Sequence, residues 1–320
     1  MLKRRCLVAV LGLVCMLAFA APSLRAADKP DRIVVSGASG QIGKLVVKEL
    51  LHRGVDPNNL ILVSRTPDEL TEYAKMGATV RYADLYKPET LANAYVGGTR
   101  MLLISVGSGP IPRPEAHKAG FDAAVKAGVK HIVYTSFIGA DKGESPVAAQ
   151  HQQSENYLKA SGAKWTMLRN GFYADIYVSA AIEMARTGRT TVRPNERKSA
   201  PVTRADCAAA AAGALLSPSL SENRAFNITG PELYDRGDVA KAVSAMTGKK
   251  IEVTEAAEQA PGPFGPPAGP VAADGPVGPP LTTPPVVSDA VAKLAGRPAM
   301  GLKALLEANK NQILAAAKGS

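Results

Sequence analysis

The chain has 320 residues, of which 46% are hydrophobic and 5% aromatic, which suits one large α/β domain and excludes a disordered or fibrous chain. A formal charge of +10 invites a nucleic-acid reading, yet Lys3, Arg4, Arg5 and Arg25 supply four of those positives within the first 26 residues, which hold no acid. The remaining +6 is scattered, with no basic helix or aromatic-interleaved patch, so it reads as solubility and steering of an anionic ligand, with no nucleic-acid partner.

Residues 1–26 read as a cleavable signal peptide. Lys3-Arg4-Arg5 is its basic start, Leu7 to Ala20 its fourteen-residue apolar run, and Ala18-Phe19-Ala20 or Leu24-Arg25-Ala26 its cleavage site. The run is short of the about 20 residues a membrane span needs, so no stable span is expected after processing. The expected destination is export to the periplasm. Arg4-Arg5 leaves the twin-arginine route open beside general export, with an uncleaved anchor as a third alternative. Cys6 and Cys15 leave with the signal. Cys207 is then a lone thiol in the alanine-rich stretch Ala205 to Ala214, read as a buried helix residue, and no metal cluster is visible.

Arg32 to Ser36 reads as a strand that runs into Gly37-Ala38-Ser39-Gly40-Gln41-Ile42-Gly43 and then a helix with apolar Leu45, Val46, Leu50 and Leu51. This is strand, phosphate loop, helix. Gly37 permits a tight turn, Gly40 a close approach of backbone to pyrophosphate, and Gly43 close helix–strand packing. The free N–H groups of the helix start complete an anion site. Leu60 to Arg65 is the second strand. An NAD-selective site places an acid at its end for the ribose 2′-hydroxyl; this chain places Ser64 and Arg65, which suits the 2′-phosphate of NADPH, with NADH still possible.

The alternation continues. Strands are expected at 78–82, 100–105, 130–136 and 164–169, and helices at 88–96, 114–127 and 149–160. The fold class is therefore α/β, a Rossmann-type doubly wound parallel sheet. Ligands in such sheets lie at the carboxyl ends of the strands. Those ends supply Asp84, as an adenine contact or a turn residue, then Ser105, Val106 and Ser136. Tyr134, Asn170 and Tyr173 are substrate-pocket candidates, with core packing as the alternative for the tyrosines and a self-satisfied turn for Asn170.

Val35 to Gly43, Ser64-Arg65, Gly128 to Ser136, His151-x-x-x-Glu155, Leu168 to Tyr173, Ala225 to Gly230 and Gly296-Arg297-Pro298 occur in an order that resembles the NmrA-like group of atypical short-chain dehydrogenase/reductases. The resemblance is nearest to the quinone reductase and triphenylmethane reductase subgroup. It covers residues 31 to about 255 and again from about 286 to the end. It implies an NADPH-binding reductase, monomeric or homodimeric, with a Rossmann domain at 31–190 and a small substrate lobe at 191–320.

Ordinary members of that superfamily use Tyr-x-x-x-Lys, the tyrosine as proton donor. Aligning on Glu155 puts Val147 at the Tyr position and His151 at the Lys position. His151 is thus a candidate for ribose contact, a weak candidate for catalysis, and otherwise a packed helix residue. Without the tyrosine, a ketone is a poor substrate. A quinone or other electrophilic small molecule is a good one, because hydride addition gives a stabilised product by positioning alone, with neither flavin nor metal. A non-catalytic dinucleotide-binding regulator of the NmrA type is the alternative, and a sugar-nucleotide isomerase a third class. The segment 259–286 interrupts the lobe with proline and glycine at a density that cannot build the helix relatives carry there, so the pocket has a different lid or is open. Ser288 to Leu294 and Leu302 to Ala317 read as closing helices.

Overall fold

The computed structural model describes residues 31–143, 145–192, 197–255 and 284–319. The expected signal peptide lies outside these residues, as does all of the Pro/Gly-rich segment up to residue 283.

The first half alternates strands and helices: β1 Ile33–Ser36, α1 Gln41–His52, β2 Leu60–Ser64, α2 Thr71–Lys75, β3 Thr79–Tyr82 and β4 Arg100–Leu103. Then come α3 Arg113–Lys126, β5 His131–Phe137, α4 Pro146–Ala160, β6 Lys164–Asn170, α5 Asp175–Thr187 and β7 Arg189–Val192. The last part holds α6 Arg204–Leu216, α7 Pro218–Ser221, β8 Arg224–Ile228, α8 Arg236–Thr247 and β9 Glu252–Glu255, then α9 Ala290–Ala295, α10 Leu302–Ala308 and α11 Lys310–Lys318.

Seven strands form one parallel sheet in the order β3-β2-β1-β4-β5-β6-β8. Chain direction along the sheet reverses between β1 and β4, where Ile33 pairs with Leu60 on one side and Arg100 on the other. A ligand crevice is expected outside the carboxyl ends of these two strands. Both faces of the sheet are covered, so β1 and β2 are buried throughout and read as unbroken apolar runs. Val35, Leu62, Leu102 and Val133 face α1 and α6, while Val34, Ile61, Leu103 and Tyr134 lie in the core that holds Phe121 of α3 and Leu158 of α4.

The Ala-rich stretch is α6, buried on every side from Cys207 to Leu215. It lies against both α1 and α9, and small side chains are what let three helices approach. A Cβ on Gly213 would stand 1.7 Å from the Leu294 carbonyl oxygen. The Cys207 thiol is free, and burial pushes its pKa up, so it is inert. A division at 190/191 does not follow these layers, because α6 covers the main sheet and β8 extends it beside β6. Outside the sheet, α5, α8, α10 and α11 share a separate core with Tyr177, Tyr234, Val239 and Leu306, next to the two-stranded parallel pair β7–β9.

Two expected helices differ. Over 88–96 only a 3-10 turn, Pro88–Leu91, forms. Gly97 and Gly98 follow directly, and the Arg81 guanidinium takes the carbonyls of Asn93, Ala94 and Val96 that helix would otherwise use. The closing helix over 302–317 is two helices broken at Asn309, whose side-chain amide donates to the Leu305 carbonyl at 2.8 Å.

Candidate active site

The glycine turn sits at the carboxyl end of β1. Gly37 takes φ +91°, a conformation that favours glycine, and its N–H and that of Ala38 both donate to the Val63 carbonyl of β2 at 2.9 and 3.0 Å. The turn is thereby tied to the neighbouring strand. Gly43 lies inside α1 against this turn: an added Cβ would stand 2.1 Å from the Gly37 oxygen. Gly40 is the residue before α1, is exposed, and no side chain caps the helix. Gln41 is exposed and Ile42 is buried against the sheet. The residues present fit a dinucleotide pyrophosphate, since an uncapped helix start opens beside a turn without side chains at Gly37 and Gly40.

Ser39 Oγ and Ser64 Oγ hydrogen-bond to each other, the Thr66 hydroxyl donates to Ser39 Oγ at 2.9 Å, and the Thr66 N–H donates to Ser64 Oγ at 2.9 Å. Arg65 stands in the chain between Ser64 and Thr66 of this hydroxyl group and is exposed. Lys44 of α1 pairs with Glu69 at 2.6 Å just beyond. Thr66 joins the candidates here; the run Ser64-Arg65-Thr66 is the signal that would have included it.

Asp84, half-buried after β3, accepts from the Tyr86 N–H at 3.0 Å, and Thr90 receives the Asp84 N–H. One of its oxygens therefore stiffens its own turn. The Ser105 N–H donates to Thr135 Oγ1 at 2.8 Å. Val106 is held at both ends: its N–H donates to His117 Nε2 at 3.0 Å, and its carbonyl accepts from Arg113 Nε at 2.9 Å. His117 and Arg113, neither of them a candidate from the sequence, thus pin this loop onto α3.

Ser136 is buried and its hydroxyl donates to Glu155 Oε1 at 2.7 Å. Glu155 is 1% exposed and takes a two-pronged contact from Arg169, at 2.9 and 2.7 Å. The Ser136 proton is therefore committed inward, to an ion pair that joins α4 to β6, which leaves its oxygen only as an acceptor. Tyr134, a pocket candidate from the sequence, is instead a core residue. It is fully buried beneath α3 and α4, edge-on to Phe121, and burial raises its phenol pKa.

His151 lies above Tyr134, 5% exposed, with Nδ1 2.7 Å from the phenol oxygen and its ring stacked on Phe137. Burial, aided by the charge of Arg113, lowers its pKa to about 3, so it is neutral at physiological pH. Asn170 is buried at the end of β6 with Oδ1 lacking a donor, an unmet acceptor among the described residues. Tyr173 is half-buried, under the Arg204 guanidinium at 4.6 Å, and burial pushes its phenol up to about 12. His52 is exposed, and His131 sits at the amino end of β5, bonded to Thr166, remote from the crevice.

A family model described as NAD(P)H-binding matches residues 37–218. Quinone oxidoreductase 2 of Escherichia coli is 33% identical over 219 residues, covering 68% of this chain and 76% of that one. An NAD(P)H azoreductase of Xenophilus azovorans is 31% identical, covering 68% and 75%. The crystal structure of the E. coli NADPH-dependent quinone oxidoreductase with NADPH superposes with a TM-score of 0.71 at 29% identity, covering 86% of this chain and 99% of that one. That of Citrobacter sp. triphenylmethane reductase with NADP(H) gives 0.73 at 26%, covering 87% and 99%. With this glycine turn, this strand order and these relatives, the chain belongs to the NAD(P)H-binding, NmrA-like family of oxidoreductases and is an NAD(P)H-dependent reductase.

Proposed function

We propose that this reductase prefers NADPH and delivers hydride to a quinone-like or other electrophilic acceptor by positioning, without a Tyr-x-x-x-Lys pair. The carrying observation is Arg65, exposed at the end of β2 among the hydroxyls of Ser39, Ser64 and Thr66. A guanidinium and several hydroxyls suit a phosphate dianion, whereas a free ribose hydroxyl calls for an acid. Arg65→Asp is expected to weaken NADPH by about 2–3 kcal/mol while leaving NADH unchanged or improved, read by titration of each cofactor. Equal losses for both would refute the assignment.

Bound NADPH supplies the hydride. The protein's part is to hold the pyrophosphate on the Gly37–Gly43 turn, seat the 2′-phosphate at Arg65, and present the nicotinamide side to Asn170 and Tyr173. Among the described residues, the two ring candidates near the ends of β5 and β6 do not titrate near neutrality: the His151 pKa lies at about 3 and that of Tyr173 at about 12. An acceptor whose reduced form is a stabilised phenolate, or a cation that becomes neutral, needs no such acid at the hydride step. The relatives named as quinone oxidoreductase and azoreductase support this class of acceptor.

The test is oxidation of NADPH against a panel of quinones, followed by the absorbance of the reduced nicotinamide. Turnover is expected, with a single-turnover rate flat between about pH 6 and 8. Tight NADPH binding without oxidation of any panel member would instead favour the non-catalytic regulator. The reading extends to the N-terminus: Lys3-Arg4-Arg5 and the apolar run to Ala20 send the enzyme, as a monomer or homodimer, to the periplasm, which cell fractionation would check.

A further inference from the structure

We infer that the buried pair Tyr134 and His117 fixes His151 in one tautomer, with the proton on Nε2, so that it offers an N–H to an oxygen of the bound ligand. The inference rests on the reductase reading and deepens it. The Val106 N–H donates to His117 Nε2 at 3.0 Å, so that nitrogen is unprotonated and the His117 proton sits on Nδ1. Ser154 Oγ spends its own proton on the Gln150 carbonyl at 3.0 Å. It therefore accepts from His117 Nδ1–H at 2.9 Å, and Tyr134 Oη, 3.0 Å from the same nitrogen, also faces a donor. Two acceptors face the Tyr134 O–H, Ser154 Oγ and His151 Nδ1; Ser154 Oγ already accepts from His117 Nδ1–H, and the short contact, at 2.7 Å, is to His151 Nδ1, which takes the proton. His151 accepts there, so its proton is on Nε2.

That outer nitrogen is free to act. It makes no hydrogen bond among the described residues, and it is not one of the two buried polar atoms left unpartnered, His131 Nδ1 and Asn170 Oδ1. Nε2 thus reaches the surface of an otherwise buried ring. The ring stacks on Phe137 with centroids 6.0 Å apart, and Phe137 packs edge-on against Phe172 at 5.6 Å. These two phenylalanines mark the carboxyl ends of β5 and β6, the ligand side of a parallel sheet. A neutral imidazole N–H there suits an oxygen acceptor: a cofactor ribose hydroxyl, or the carbonyl oxygen of a quinone as charge develops on it. Tyr134 and His117 are positioning residues, since they act through His151. The same His117 also holds the Val106 loop, so loop and donor share one anchor.

The test reads the tautomer directly. In the full-length, ligand-free protein labelled with nitrogen-15, long-range proton–nitrogen correlation at neutral pH is expected to show His151 protonated on Nε2. Protonation on Nδ1 overturns the inference, whatever any variant does. Tyr134→Phe, with folding checked by circular dichroism, removes the donor to Nδ1 and is expected to leave His151 a mixture of tautomers. In that variant either the NADPH dissociation constant rises or the single-turnover hydride rate to a benzoquinone falls, by about fivefold, the worth of one neutral hydrogen bond. A change in NADPH affinity places the receiving oxygen on the cofactor, and a change in rate places it on the acceptor. A redistributed tautomer with affinity and rate both unaltered refutes the functional role. If no quinone is turned over at all, the reductase reading fails, while the tautomer and the NADPH affinity still decide this one.

Discussion

Replacing Gly43 with alanine is expected to abolish dinucleotide binding and to destabilise the fold. The reason is a backbone contact that no side-chain adjustment relieves. A Cβ at this position would lie 2.1 Å from the Gly37 oxygen and 2.7 Å from both the Cα and the oxygen of Ala38. The Gly37 turn cannot yield alone, because its N–H groups are bonded to Val63 in β2. Either α1 lifts from the sheet or the turn breaks from the strand. Overpacking of this kind costs about 1–3 kcal/mol, and a displaced turn no longer aims its N–H groups at the pyrophosphate, so NADPH affinity should fall by at least about a hundredfold. Gly40→Ala is the matched control. Its Cβ meets only the Gly37 oxygen, at 3.3 Å, and the residue is exposed, so thermal stability should hold while NADPH binding weakens through lost approach to the phosphates. Fluorescence titration and thermal melting separate the two. A Gly43→Ala protein that binds NADPH as the parent does would show that the turn serves only as a connection.

Acid is expected to unfold the protein earlier than carboxylate titration requires. His117, His131 and His151 are all buried and all held neutral. Burial is the leading cause for each, with the charge of Arg113 adding to it at His117 and His151. At His131, where the pKa falls to about 4, Glu222 opposes the shift, while Arg100 and Lys164 reinforce it. The sign follows from linkage. Each group is lowered in the folded state, so below its ordinary value near 6.5 the unfolded chain binds protons that the native chain refuses. The stabilisation is complete above that pH and is lost as pH falls toward about 4 for His131 and about 3 for His151. Near pH 5 His131 and His151 give a slope of roughly 2–3 kcal/mol per pH unit, to which His117 adds in the same direction. Against a total of roughly 5–15 kcal/mol, that is enough to unfold a typical domain within a few pH units. Urea unfolding at pH 7, 6 and about 5 measures the slope directly. Unfolding free energies that stay level across that range would mean these histidines titrate freely in the native protein.

The parts of the site that are legible in the sequence are those set by near neighbours. Gly37, Gly40 and Gly43 act over seven residues of one turn, so spacing alone points to a dinucleotide, and Ser64-Arg65, which ends the strand beside it, carries the proposal of a 2′-phosphate. The alternation of strands and helices fixes a doubly wound sheet for the same reason, since each element declares itself within its own length. The missing Tyr-x-x-x-Lys is equally local.

Only the tertiary structure decided what the polar residues behind that surface do. Tyr134 sits 17 residues from both His117 and His151, and His117 sits 37 from Ser154. These four meet because α3 and α4 pack on one face of the same sheet, a relation that no local period encodes. Ser136 has the residue type and strand-end position of a cofactor ligand, yet Glu155, 19 residues on, claims its hydroxyl. Composition marks the Ala205–Ala214 stretch as buried helix but not its neighbours; it takes the apposition of α1 and α9 to require side chains that small on every face. A pattern of residues specifies which groups an element presents. Which of those groups reach a ligand, and which are consumed by one another, depends on pairs brought together across long stretches of chain, where burial makes every donor and acceptor find a partner.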